Sequence, residues 1–296
     1  MSKLLIIGVS GMLGKDIATA FAATDYEVFG LARHCPQTLD SAHFFNLDLV
    51  NLSELQQVLL DLQPDLIINC AALVNLNECE ANFDKAYAIH VSVSEILAQS
   101  CLPATKLIYI STDSVFDGQA GDYSETAVTN PLNNYAKTKL AGELATLAAH
   151  PNSLIIRTNI FGFHEVPASS LAEWALVNLG KSNSINGYTD IYFNPVYTKQ
   201  LARVIRQLAT AVVFPVGILN IASTQTLSKF AFLRELVKIF NYDPTLLVEA
   251  TMPDQTLGLI RPKNTTLNVD KLQTNFHITI NLMDGLQEFA QDYLNR

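Results

Sequence analysis

Near its start the chain runs an apolar stretch, residues 4–7, straight into Gly8-Val9-Ser10-Gly11-Met12-Leu13-Gly14 and on into a helical pattern. This junction constrains the fold more than any other feature. A strand that turns directly into a helix over a glycine triplet needs a tight turn, a backbone open to a ligand and close strand–helix packing. The helix end behind it offers free N–H groups and partial positive charge to a phosphate. With 13 glycines in 296 residues, a G-x-x-G-x-x-G triplet arises by chance in roughly 2–3% of such chains, and far less often at a strand–helix junction. The sequence therefore predicts a dinucleotide loop built on Gly8, Gly11 and Gly14, with Met12 and Leu13 counted in it mainly as packing. A tight βα turn without a ligand is the plainer alternative.

The rest of the first half repeats the rhythm. Short β-rich runs at 4–7, 27–31, 66–69, 107–111 and 154–157 alternate with helical patterns at 12–23, 52–62, 81–99 and 135–149. The runs are continuously apolar, as expected of parallel strands covered on both faces. This is the pattern of a Rossmann-like, doubly wound α/β sheet, whose ligands lie at the strand C-termini. The expected division is a dinucleotide-binding domain at 1–162, completed by a strand near 217–222, and a smaller interleaved α/β substrate lobe at 163–296. Three further helices are expected in that lobe: 170–179; 227–240, with Ser228 as its cap and Asn241 near its end; and 282–294.

Composition excludes whole classes. Apolar residues make up 49% and charged residues 16%, which rules out global disorder. A net charge of −9, from 19 basic and 28 acidic side chains, disfavours nucleic acid and anionic lipid as partners. No apolar stretch reaches the ~18 residues of a membrane span, and the N-terminus is too short and wrongly flanked for a signal peptide, so a cytoplasmic location is expected. The four cysteines, Cys35, Cys70, Cys79 and Cys101, lack disulfide or zinc spacing and read as buried, reduced thiols; no metal is expected.

Two patterns carry chemistry. After the second strand, where a free ribose 2′-hydroxyl usually meets an acid, stand Arg33 and His34. A guanidinium suits a 2′-phosphate, so NADP(H) is favoured over NAD(H); stacking of Arg33 on adenine, or exposure to solvent, is the alternative. Further on, Tyr135-Ala136-Lys137-Thr138-Lys139 puts a phenol and an ammonium on one helix face. The ammonium of Lys139 is expected to bring the phenol of Tyr135 toward the working range and to hold the cofactor ribose. Thr112, after the strand at 107–111, is the expected donor to a substrate oxygen. An exposed Tyr/Lys pair is the bland alternative, and Lys137 is the nearest decoy.

The ensemble resembles the extended short-chain dehydrogenase/reductases, and within them the dTDP-4-dehydrorhamnose reductase (sugar-nucleotide reductase) family. The segments that carry the likeness are GVSGMLG, Asp48-Leu49, PDLIINCAALVNLNECE, STDSVFDG, NPLNNYAKTKLAGE, RTNIFG and RPKNTTLNVDKL. The resemblance implies that Asp48 and Leu49 sit near adenine, that Ala71 and Ala72 line the cofactor, and that Thr112, Tyr135 and Lys139 are catalytic. It implies reduction of the C4 ketone of a nucleotide-linked 4-keto-6-deoxysugar, with Asp113 and Ser114 toward the sugar. Arg261 would anchor the diphosphate or else serve a structural salt bridge. The chain departs from the family at Ser114, where a Tyr is usual, and at His90, where an Asn is common; His90 is either a simple substitution or an altered proton relay. A non-catalytic NADP-binding relative, such as the regulatory subunit of methionine adenosyltransferase, and a nucleotide-sugar epimerase or dehydratase remain rival readings. The expected partner is a nucleotide sugar, with a homodimer left open.

Overall fold

The computed structural model describes residues 1–165, 170–253 and 259–296. The first half comprises β1 (Ser2–Ile7), α1 (Met12–Phe21), β2 (Tyr26–Ala32), β3 (Phe44–Asn46), α2 (Leu52–Leu62), β4 (Leu66–Asn69), α3 (Leu76–Ala81), α4 (Phe83–Tyr87), α5 (Val93–Gln99), β5 (Lys106–Ile110), α6 (Asn134–Ala149) and β6 (Leu154–Arg157). There follow β7 (Ile160–Phe161), α7 (Leu171–Gly180), β8 (Ile185–Tyr188), β9 (Tyr192–Phe193), β10 (Val196–Tyr197), α8 (Thr198–Ala209), β11 (Gly217–Asn220), β12 (Leu227–Ser228), α9 (Lys229–Ile239), β13 (Leu247–Ala250), α10 (Asp270–Phe276) and α11 (Leu282–Leu294).

Seven strands form one parallel sheet in the order β11-β6-β5-β4-β1-β2-β3. The chain builds outward from β1 through β2 to β3, then returns to lay β4 on the other side of β1. That reversal opens a crevice at the C-terminal ends of β1 and β4. Both faces of the sheet are covered, which is why the strands are apolar without alternation. Leu4 and Ile6 pack with Ile17, Phe21, Leu201 and Ile205 on one face. Leu5 and Ile7 pack with Leu55, Leu59 and Leu97 on the other. A separate aromatic-rich core, with Phe161, Phe163, Phe193, Phe232 and Phe289, holds α7, α9 and α11 together.

Three local expectations need correction. The single helix expected at 81–99 begins earlier, at Leu76, and is broken at Asn82, whose side chain accepts from the Lys85 N–H and caps α4. It then passes through a π-helical turn, Ala88–Ser92, before α5. Helix α8 lies outside the expected elements, although Leu201, Ala202, Val204, Ile205 and Leu208 form its buried stripe and pack it near α1. The cysteines are not uniformly buried. Cys79 is, but Cys35 is exposed in the loop that leaves β2. Among the described residues no helix is long and apolar enough to cross a membrane.

Candidate active site

The glycine loop forms the floor of a cleft of about 310 Å³ at the β1/β4 crevice. Gly8 has a φ of 77° and lies against the Ala71 backbone, 3.1 Å from where a Cβ would stand. Gly11 caps α1 without a side chain, so the first-turn N–H groups meet no capping acceptor. Gly14 serves packing instead, since a Cβ there would fall 2.3 Å from the Gly8 carbonyl oxygen. Gly8, Gly11, Arg33, Asp48, Leu49, Ala71 and Ala72 all line the cleft, joined by Ser10, Glu78 and Lys85. Met12, Leu13 and Gly14 do not; Leu13 is buried in the sheet core. An uncapped helix end, a bare glycine backbone and a rim guanidinium fit a dinucleotide.

The acid–base candidates converge at the end of β5 and on α6. Asn133 caps α6 by accepting from the Ala136 N–H at 3.0 Å, which fixes the start of the helix that carries Tyr135 and Lys139. Lys139 is buried and donates to the Ile110 carbonyl at 2.6 Å, its ammonium 4.1 Å from the centre of the Tyr109 ring. Burial pushes that ammonium down to about 7, against the upward pull of Glu143 and Cys70. Tyr135 runs opposite to the expectation of a softened phenol. Burial pushes it up to about 12; a hydrogen bond with Thr112 pulls it down, while the Asp113 and Cys79 charges raise it. The ammonium reaches for a carbonyl, not the phenol, and burial wins. Thr112 also accepts from the Ser114 N–H at 3.1 Å and donates to Asp113. Lys137 is exposed.

A larger cavity of about 680 Å³ adjoins this set and is lined by Asp113, Ser114 and Arg261, the three side chains expected toward the sugar nucleotide. The carboxylate of Asp113 is saturated, receiving Thr112, Ser114, Asn159 and Thr265. It therefore organises the cavity floor. Sequence reasoning missed Asn159, Thr265 and Lys229, all in the lining. The Lys229 ammonium lies 3.2 Å from the centre of the Phe193 ring. Burial pushes it down to about 8; Asp113 opposes this and Arg261 adds to it, so two cations share the cavity. Nothing in the local sequence Leu227-Ser228-Lys229 distinguishes that lysine from a surface residue.

The sequence matches the profile of the RmlD substrate binding domain over residues 2–295. The chain belongs to the RmlD substrate binding domain family. It is 28% identical over 292 residues to dTDP-4-dehydrorhamnose reductase of Aggregatibacter actinomycetemcomitans, covering 94% of each chain. It is also 28% identical over 277 residues to methionine adenosyltransferase 2 subunit beta of Danio rerio, covering 92% of this chain and 84% of the relative. A solved dTDP-4-dehydrorhamnose reductase from Clostridium acetobutylicum superposes with a TM-score of 0.86 at 27% identity, over 99% of this chain and all of that one. In this RmlD-family chain, two of the segments that carried the likeness meet in a buried ion pair. Arg157, from RTNIFG, donates to Glu143, from YAKTKLAGE, with its Nη2 at 2.7 Å. The same carboxylate accepts from Ser111. The ends of β5 and β6 are thereby pinned to α6.

Proposed function

We infer that this chain is an NAD(P)H-dependent reductase of a nucleotide-linked 4-keto-6-deoxysugar. The observation that carries the reading is that Thr112, Tyr135 and Lys139, which line neither of two unlike cavities, have neighbours in both: Cys70, beside Lys139, in one, and Asp113, Ser114 and Asn133 in the other. One is a glycine-floored cleft; the other, of about 680 Å³, brings together Lys229 and Arg261. The second volume falls in the ~300–1,000 Å³ range of small-molecule sites. The described relatives named dTDP-4-dehydrorhamnose reductase support the substrate class.

The cofactor would be held by the backbone of Gly8 and Gly11, the wall at Ala71 and Ala72, and the adenosine-side residues Arg33, Asp48 and Leu49. A bound nicotinamide supplies the hydride. Arg33 on the cleft rim, in place of an acid, supports NADP(H) over NAD(H). The Thr112 hydroxyl, which rests on Asp113, would turn its one proton to the ketone oxygen and stabilise the charge that grows on it. Tyr135 gives up its proton to that oxygen; its raised affinity keeps the proton in place until an alkoxide, a stronger base than phenolate, develops. Lys139, its ammonium anchored on the Ile110 carbonyl, would hold the nicotinamide ribose. Lys229 and Arg261 receive the sugar-linked diphosphate, while Asp113 and Ser114 face the sugar.

The test is NADPH absorbance with purified protein and a panel of nucleotide ketosugars. Cofactor oxidation with at least one of them is expected. The equally similar methionine adenosyltransferase subunit supports a second reading, an NADP-binding regulatory subunit without turnover. Dinucleotide binding with no oxidation across the panel, together with co-purification of a synthetase, would favour that one.

A further inference from the structure

His90 sits at the middle of the π-helical turn Ala88–Ser92. One extra residue per turn widens a helix, and such turns recur at functional sites. Here the widened turn packs against α6, where a Cβ on Gly142 would stand 2.3 Å from the His90 carbonyl oxygen. The imidazole is fully buried, and both its nitrogens are engaged. Nε2 accepts from the Leu73 N–H at 2.9 Å. A backbone N–H can only donate, so Nε2 carries the lone pair and Nδ1 the proton. Nδ1 then donates to the Thr138 hydroxyl at 2.8 Å, and that hydroxyl donates to the Asn134 carbonyl at 2.8 Å. The ring also stands edge-on to Tyr135, centroids 5.6 Å apart.

Leu73 belongs to the cofactor-side wall, and Thr138 lies between Tyr135 and Lys139. The wall has a second tie to the same turn. The Ala71 N–H donates to Asn69, whose amide donates to Ser94, whose hydroxyl donates to the His90 carbonyl. Burial holds the imidazole down at about 2, and the Lys139 ammonium pushes the same way, so the ring stays neutral.

We propose that His90 is a positioning residue that locks the cofactor-side wall at Ala71–Leu73 to the catalytic helix α6, one ring nitrogen for each, and is not a proton relay. The proposal builds on the reductase reading for its kinetic consequence only. Two substitutions separate the ties, because an asparagine amide nitrogen takes the place of Nδ1 and a glutamine amide oxygen that of Nε2. His90→Asn keeps the α6 tie and frees Leu73. It is expected to raise the NADPH dissociation constant about tenfold, the worth of one hydrogen bond, with kcat at saturating cofactor nearly unchanged. His90→Gln keeps the wall and frees α6, so the cofactor constant stays near wild type while kcat falls about tenfold. Thr138→Val, which removes only the hydroxyl, should follow His90→Gln and stands in if a histidine variant does not fold. Hydrogen exchange reads the tie without turnover: Leu73 N–H protection is lost in His90→Asn and kept in the other two. A lower melting temperature with no crossed pattern, or the same pattern from His90→Asn and His90→Gln, overturns the proposal. If wild type oxidises NADPH with no ketosugar, the reductase reading fails, and the binding and exchange measurements still decide the tie.

Discussion

Tyr135 and Lys139 have opposite shifts with the same main cause. Burial disfavours whichever form carries charge, so the phenol keeps its proton more tightly and the ammonium gives its proton up more easily. The consequence is a pH dependence with a definite sign. Tyr135, near 12, stays protonated through the neutral range. Lys139, pushed down to about 7, is charged below that pH and neutral above it. If the ammonium is needed, kcat/KM for reduction falls as pH rises through about 7, because that ratio reports the free enzyme. A profile that stays flat to about pH 9 would contradict it. Arg33 makes a second prediction at this scale. Arg33→Ser is expected to raise KM for NADPH by about ten- to a hundredfold and leave NADH little affected, as loss of a charge-assisted phosphate contact requires. Equal changes for the two cofactors would show that the guanidinium only stacks or faces solvent.

Among elements, the buried Arg157–Glu143 pair sets how β5, β6 and α6 meet. Arg157→Met strands the Glu143 carboxylate in the core and is expected to cost about 3–5 kcal/mol, measured by chemical denaturation. Arg157→Met with Glu143→Gln should recover much of that loss. This scale also shows what the sequence made legible. Six of the seven sheet strands and helices α1, α2 and α6 are readable because a doubly covered sheet imposes continuous apolar runs and a packed helix imposes a stripe; the three-residue β3 is too short to give such a run. The π turn around His90 is not readable, since it packs against α6 and leaves no periodic signature; the break at Asn82 rests on a single capping side chain inside an otherwise helical pattern. Helix α8 does carry a readable stripe, at Leu201, Ile205 and Leu208. The glycine triplet was visible as a unit, yet only Gly8 and Gly11 line the cleft. Gly14 is there for the close approach of α1 to the loop.

In the whole molecule, a net charge of −9 is set against two local concentrations of positive potential. One is the α1 terminus with Arg33; the other is Lys229 with Arg261, which face each other's charge within one cavity. The second was only half legible. Arg261 lay in a segment resembling relatives, while Lys229 reaches the cavity because α9 folds back beside Phe193. Two cations in one cavity favour an anionic ligand there, so Lys229→Met is expected to raise KM for the nucleotide sugar about tenfold or more, with the cofactor KM unchanged and a weaker dependence on salt. A matching rise in the cofactor KM would instead place Lys229 outside the sugar-nucleotide site. The central claim is that Tyr135 protonates the ketone in the proposed reduction. Its most direct test compares wild type and Tyr135→Phe for NADPH oxidation with a dTDP-linked 4-keto-6-deoxysugar, while cofactor binding is followed by titration. The account predicts turnover by wild type and a loss of about 10²–10⁴-fold in kcat for the variant, with the NADPH dissociation constant unchanged. Turnover undiminished in Tyr135→Phe would contradict it.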